Sequence, residues 1–215
     1  MKRLILLVWL STFLFSPTSL ATPPSLDPTL QMTDLPWAVM VYYGRMTNDT
    51  LGNVVIQNYS FANENLYSVE FAHQLSESNP VRRFFQPILS TMEVVGNFTY
   101  RQDPVGPIYE FNPYVTFRWA HFPWDKYITT TFGLGEGISF DSKVPAIESN
   151  SDDQNTTDSP QKVLNYLMLE ATFALPDHPH WELVARVHHR SGVFGLYKAE
   201  NSGSTAIGLG IRYRF

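Results

Sequence analysis

The last eleven residues of the chain, TAIGLGIRYRF, alternate strictly between two faces. One face carries Thr205, Ile207, Leu209, Ile211, Tyr213 and Phe215, and the other carries Ala206, Gly208, Gly210, Arg212 and Arg214. A strand with one apolar face, arginines on its second face and an aromatic last residue is typical of a closed barrel with an apolar exterior and a polar lumen. This segment therefore predicts a strand that crosses a membrane.

Seven upstream segments repeat this period of two. In the clearest, 108–121, Tyr109 and Phe117 share one face while Glu110 and Arg118 share the other. Alternation over about ten residues is the signal of a membrane strand, weak in one segment and persuasive in a series. The predicted fold is all-β, an eight-stranded antiparallel transmembrane β-barrel. Its strands are expected at 37–46, 67–75, 88–101, 108–121, 127–140, 162–175, 181–191 and 205–215.

Charged residues recur on the inward face of these strands. A soluble β-sandwich also alternates, but burying so many charges between two sheets is costly. A small barrel can satisfy them in a hydrogen-bonded lumen network. We therefore interpret them as structural lumen residues: Glu70, Glu93, Glu110, Arg118, Glu170, Arg186, Arg212 and Arg214.

The first residues resemble a secretory signal. Lys2 and Arg3 precede an uncharged run over 4–15, and Ala21 offers a small-residue cleavage site. A single membrane helix is the alternative, but about twelve residues fall short of the roughly 20 needed to span a bilayer. We predict a signal peptide at 1–21, an N-terminal periplasmic segment at 22–36 and the barrel at 37–215.

Composition narrows the possible partners and cofactors. A formal net charge of −5 argues against a strongly basic nucleic-acid-binding protein, and the absence of cysteine excludes disulfides. No phosphate loop, zinc spacing or dinucleotide fingerprint occurs in the sequence, so no cofactor and no metal are predicted. The expected partners are the membrane and the outer-membrane assembly machinery, for which the terminal Phe215 is the predicted recognition residue.

The connections between the predicted strands indicate an orientation. Those at 77–85, 121–126 and 176–180 are short, as periplasmic turns are. The longest, 141–161, is rich in Asp, Ser, Asn and Thr, which favours a solvated outer loop.

A polar pair interrupts the apolar face of the seventh strand. Ala185 and Val187 are followed on the same face by His189 and Ser191. Because they are two residues apart on one strand face, we expect these side chains to be able to reach each other for a hydrogen bond. A base beside a hydroxyl is the minimal activated nucleophile for acyl transfer. The alternative is that both residues simply lie at headgroup level, where polar side chains cost little.

Residues 185–215 (ARVHHRSGVFGLYKAENSGSTAIGLGIRYRF) resemble the end of the PagL-type lipid A 3-O-deacylases. The resemblance implies an outer-membrane esterase that removes an ester-linked acyl chain from the lipid A of lipopolysaccharide. It also implies that Ser191 is the nucleophile and His189 the general base. This chain departs from the family at two positions: Gly192 replaces the oxyanion-hole Asn, and Thr205 stands at the acidic position.

An active enzyme of this type would need a carboxylate from elsewhere in the chain. The candidates are Glu200, Glu148 and Glu136, the last of which shares the outward face of its strand. Arg190 and Lys198 are predicted to form a cationic rim that binds lipopolysaccharide phosphates. The competing prediction is a non-catalytic outer-membrane barrel with a structural or lipopolysaccharide-binding role.

Overall fold

Eight antiparallel strands close into a single barrel. The computed structural model describes residues 34–149, 161–193, 197 and 202–215; the predicted signal peptide and most of the 22–36 segment lie outside these. The strands are β1 Trp37–Thr47, β2 Phe61–Gln74, β3 Thr91–Gln102, β4 Ile108–Trp119, β5 Thr129–Asp141, β6 Val163–Ala174, β7 Trp181–Ser191 and β8 Gly203–Arg214. Each strand pairs with its neighbours in sequence, and β1 pairs with β8. The predicted fold is confirmed.

The pairing register makes the barrel staggered. In one direction, the row of cross-strand partners that starts at Tyr43 on β1 passes through β2 and β3 and reaches Tyr109 on β4. Tyr109 lies beside Ser142, whose N–H donates to the Tyr109 carbonyl at 2.9 Å. Followed from Tyr43 through β8, β7 and β6, the same row ends at Phe132. Ser142 and Phe132 lie ten residues apart along the chain. Such a shear requires the strands to tilt by roughly 40° to the barrel axis.

The described parts of the connections contain three short helices: α1 Leu51–Val55, α2 Pro80–Phe85 and α3 Ala146–Ser149. No helix in the described part of the chain is long and apolar enough to cross a membrane. Two predicted boundaries shift: β2 begins at Phe61 and not at residue 67, and β3 begins at Thr91 and not at residue 88. The later start of β3 follows from a turn after α2, in which the Ile88 and Leu89 N–H groups donate to the Phe85 carbonyl at 2.9 Å. Asn79 caps α2 by accepting from the Val81 N–H at 2.9 Å, and Pro80 occupies a first-turn position that needs no donor.

The outward face of the barrel is apolar. Val41, Phe71, Val94 and Phe98 are among its exposed side chains. An aromatic row crosses β1 to β4 on this face, and successive ring centroids lie 5.3, 6.4 and 5.9 Å apart. The row consists of Tyr43, Tyr67, Tyr100 and Tyr109. An apolar band with aromatic residues is the exterior expected of a barrel in a bilayer.

Paired charges fill the inside of the barrel. Glu170 on β6 accepts from Arg118 Nη1 at 2.9 Å, from Arg212 Nη1 at 2.8 Å and from Arg186 Nε at 2.9 Å. The same arginines also reach other carboxylates, and the four Glu and four Arg of this network balance in charge. The network contains Glu70, Glu93, Glu170, Glu182, Arg118, Arg186, Arg212 and Arg214.

We predict that Glu170→Gln destabilises the barrel more than any exposed charge substitution. The amide keeps the shape but removes the charge shared by three buried arginines, and breaking a buried pair costs about 3–5 kcal/mol. Urea unfolding in detergent micelles measures this loss. The matched control is Glu77→Gln, whose side chain is 83% exposed, with an expected change within about 0.5 kcal/mol. Equal midpoints for the two variants would contradict the structural role of the network.

Candidate functional site

The predicted pair lies on the outward wall of the barrel. In β7 the inward residues are buried, while His189 and Ser191 lie on the opposite face and are half-buried. Cross-strand pairing sets their neighbours. His189 pairs with Leu167 on β6 and with Thr205 on β8, and Ser191 pairs with Asn165 on β6. Both residues therefore lie near the barrel end that carries the long β5–β6 connection.

Thr205 contacts the histidine at the position where the resembled family has an acid. His189 Nδ1 and Thr205 Oγ1 are 2.9 Å apart, and Thr205 is only 1% exposed. A hydroxyl can serve either as donor or as acceptor to a neutral imidazole nitrogen. This contact holds the imidazole ring through Nδ1.

A groove of about 580 Å³ contains both residues of the pair. His189, Ser191 and Thr205 line it from the wall. Thr47 at the end of β1, residues 48–52 of the β1–β2 connection and Ile147 of α3 also line it. A concave site with convergent polar groups on the barrel exterior is the kind of surface that can hold a reacting ester.

The serine has a local backbone partner. The Val193 N–H donates to Ser191 Oγ at 3.0 Å, while the Gly192 N–H donates to the Ser202 carbonyl at 3.0 Å. No hydrogen bond joins Ser191 Oγ and His189 among the described contacts. Val193 has φ 47°, a left-handed conformation that a β-branched residue adopts only under constraint. Such strained positions cluster at functional sites, and this one is two residues from the serine.

Asn165 is a site residue that the sequence analysis did not include. It lies opposite Ser191, and its Nδ2 donates to Glu136 Oε1 and to the Gly137 carbonyl, the latter at 3.2 Å. Glu136 is exposed on the outward face, as its parity predicts. In the row of partners Leu167 separates it from His189, so Glu136 contacts Asn165 and not the histidine. The sequence signal that identifies Asn165 is a polar side chain at an outward-facing position of β6.

Arg190 and Glu148 lie inside the barrel, which corrects their predicted positions. Arg190 is fully buried and donates through Nη1 to Glu148 Oε1 at 2.8 Å, while it also pairs with Asp141. It points inward because it stands between two outward residues of one strand. Arg190 is therefore not on the rim. Glu148 also accepts from Ser204 Oγ at 2.6 Å, and this lumen position keeps it from contacting His189.

The other two predicted site residues, Lys198 and Glu200, lie outside the described residues. Within the described ranges, no three His, Cys, Asp or Glu side chains are grouped so that they could hold a metal ion.

No family model and no curated protein matches this chain. Solved outer-membrane structures do. The outer membrane enzyme PagL is similar with a TM-score of 0.56 and 12% identity, over 83% of this chain and 99% of that one. The Neisserial surface protein NspA has a TM-score of 0.46 and 10% identity, over 83% and 96% of the two chains. The N-terminal barrel of OprF from Pseudomonas aeruginosa has a TM-score of 0.44 and 9% identity, over 84% and 98%.

At these identities the likeness shows the fold alone. The closed barrel of eight antiparallel strands, its apolar exterior and the fold it shares with PagL define the chain as a β-barrel of the outer-membrane type. The likeness to PagL does not show membership of that enzyme's family.

We predict that Thr205→Val changes the environment of the His189 imidazole without unfolding the barrel. Valine keeps the branched shape but lacks Oγ1, so Nδ1 loses its partner. Nitrogen-15 NMR of ring-labelled protein in nanodiscs reads this change as a shift of the His189 Nδ1 resonance. His188 provides an internal control, because its ring is held by Glu110 at 2.8 Å and by Tyr166 at 3.2 Å. An unchanged His189 signal would contradict the contact.

Proposed function

We propose that this protein is an outer-membrane esterase that hydrolyses an ester-linked acyl chain of the lipid A of lipopolysaccharide. One observation carries the proposal: His189, held at Nδ1 by Thr205, shares an outward-facing groove with Ser191. A base whose ring is held in place, next to a hydroxyl, is the minimum that acyl transfer requires. The resemblance of residues 185–215 to lipid A deacylases supplies the substrate class.

In the first half of the reaction, Ser191 Oγ attacks the ester carbonyl carbon and His189 Nε2 takes the hydroxyl proton. The carbonyl electron pair moves onto oxygen to form a tetrahedral intermediate. The intermediate then collapses, the bond to the sugar oxygen breaks, and His189 returns its proton to that leaving oxygen. The products are an acyl-serine and lipid A with a free hydroxyl.

Water completes the reaction. His189 Nε2 removes a proton from water as the water oxygen attacks the acyl carbonyl. The second tetrahedral intermediate releases the fatty acid, and Ser191 recovers its proton from His189. In both halves the Val193 N–H, which already points at Ser191 Oγ, can donate to the oxyanion in place of the family's Asn.

The presence of Thr205 in place of a carboxylate determines the turnover rate that we expect for the esterase. The threonine hydroxyl orients the imidazole but cannot neutralise a histidinium as a carboxylate does. Loss of the orienting acid in serine triads costs on the order of 10⁴-fold in turnover. The proposed enzyme is therefore slow compared with a triad that has a carboxylate.

The second candidate is a non-catalytic barrel with a structural or lipopolysaccharide-binding role. Two observations favour it: Thr205 and not a carboxylate contacts His189, and Ser191 Oγ contacts the Val193 amide and not the histidine.

We predict that Ser191→Ala and His189→Asn each abolish fatty acid release from lipid A in mixed micelles, measured by mass spectrometry. The double variant should be no worse than either single one, because members of one catalytic unit are not additive. Matched controls are Ser78→Ala and His178→Asn, exposed residues at the opposite end of the barrel, which should keep full activity. If the wild-type protein releases no fatty acid with or without calcium, the esterase proposal fails and the non-catalytic barrel replaces it.

A further inference from the structure

Arg45 is a charged residue on the apolar outward wall. It is exposed on β1, its guanidinium carbon lies 4.7 Å from the centroid of the Phe61 ring, and its Nη2 donates to the Ala62 carbonyl at 3.4 Å. Within the described residues it has no acidic partner at ion-pair distance. A cation on the lipid face of a barrel is costly unless it lies close to the interface or meets a polar group of the bilayer.

The strand register places Arg45 close to the proposed catalytic pair. Arg45 pairs with Ile207 on β8, which in turn pairs with Val187 on β7. The adjacent outward row, two residues further along these strands, contains Thr47, Thr205 and His189. Two residues along a strand correspond to roughly 7 Å. Arg45 thus lies on the same wall as His189, one outward row and two strands away.

An apolar groove of about 500 Å³ runs from this point along the wall toward the middle of the strands. Ala171 and Ala185 face each other across β6 and β7 and form its shallow floor. Phe132 and Leu209, their partners on the outer sides, form its walls. Small side chains between large ones leave a shallow apolar depression in the wall.

The groove is continuous with both polar features. Val187, two residues before His189 on the same face, lines its upper part. Phe61 also lines the groove, and the Arg45 guanidinium lies over the Phe61 ring. A cation, an apolar channel and the proposed nucleophile therefore lie along one surface.

We propose that this surface binds one molecule of lipid A, with a phosphate on Arg45 and an acyl chain in the groove floored by Ala171 and Ala185. The inference rests on the proposed function for its choice of lipid. Charge complementarity assigns the phosphate to Arg45, and continuity with His189 assigns the chain to the groove. Arg45 thus takes the phosphate-binding role that the sequence predicted for Arg190, whose charge is enclosed in the lumen.

The test measures binding without turnover. Native mass spectrometry of the Ser191→Ala protein records retention of bisphosphorylated lipid A, the same lipid A without phosphates, and phosphatidylglycerol. Adding Arg45→Gln should weaken retention of the bisphosphorylated lipid at least fivefold and leave the phosphate-free lipid unchanged. Adding Ala185→Phe, which fills the groove, should weaken retention of both lipid A forms.

Two control substitutions make the same kinds of chemical change at positions away from the proposed binding surface. Arg83→Gln removes an exposed charge on α2, and Val94→Phe adds an aromatic ring to an exposed outward site on β3. Neither should alter retention. Gel mobility before and after heating checks assembly, and Ala171→Leu replaces Ala185→Phe if that variant does not assemble.

The outcomes separate this inference from the proposed function. Equal effects of Arg45→Gln and Arg83→Gln, equal effects of Ala185→Phe and Val94→Phe, or equal retention of phosphatidylglycerol and lipid A would each overturn the inference. Fatty acid release by a protein with such results would leave the esterase intact. Selective retention through Arg45 and the groove without any release would support the inference while the esterase proposal fails.

Discussion

The charge pairing inside the barrel is the interaction on which the rest of the structure depends. Glu170 joins arginines from β4, β7 and β8, and these arginines pair with further carboxylates on β2, β3 and β7. Because side chains alternate along a strand, each buried charge commits its two neighbours to the outward face. The inside network thus fixes which residues of each strand face outward, and the pairing register decides which of these meet on the outer wall.

The candidate site is a consequence of this coupling. Arg190 is anchored inward by Glu148 and Asp141, which turns His189 and Ser191 outward on either side of it. Glu148 also accepts a hydrogen bond from Ser204, the residue before Thr205, and so helps to hold β8 in position. Glu148 therefore acts on the site as part of the lumen and makes no contact with the histidine. The apolar groove and Arg45 lie on the same wall for the same geometric reason.

Alternation in the sequence was sufficient to predict the eight strands, their faces and the outward position of His189 and Ser191. It could not predict cross-strand neighbours, since these depend on register, and so Asn165 was missed. The charge of Arg190 suits a phosphate and so favours the rim, but its position between two outward residues places it inside, where the structure has it. The inward fold of α3, which buries Glu148, results from a long-range ion pair that no local pattern contains.

The central claim is that Ser191 is an activated nucleophile on the outward wall. Labelling of the folded protein with a fluorophosphonate probe, followed by peptide mass spectrometry, tests this claim most directly. A hydroxyl activated by His189 should form a covalent adduct at Ser191, and this adduct should disappear in His189→Asn while the barrel stays folded. An unlabelled Ser191 in correctly assembled wild-type protein, or labelling that persists without His189, would contradict it.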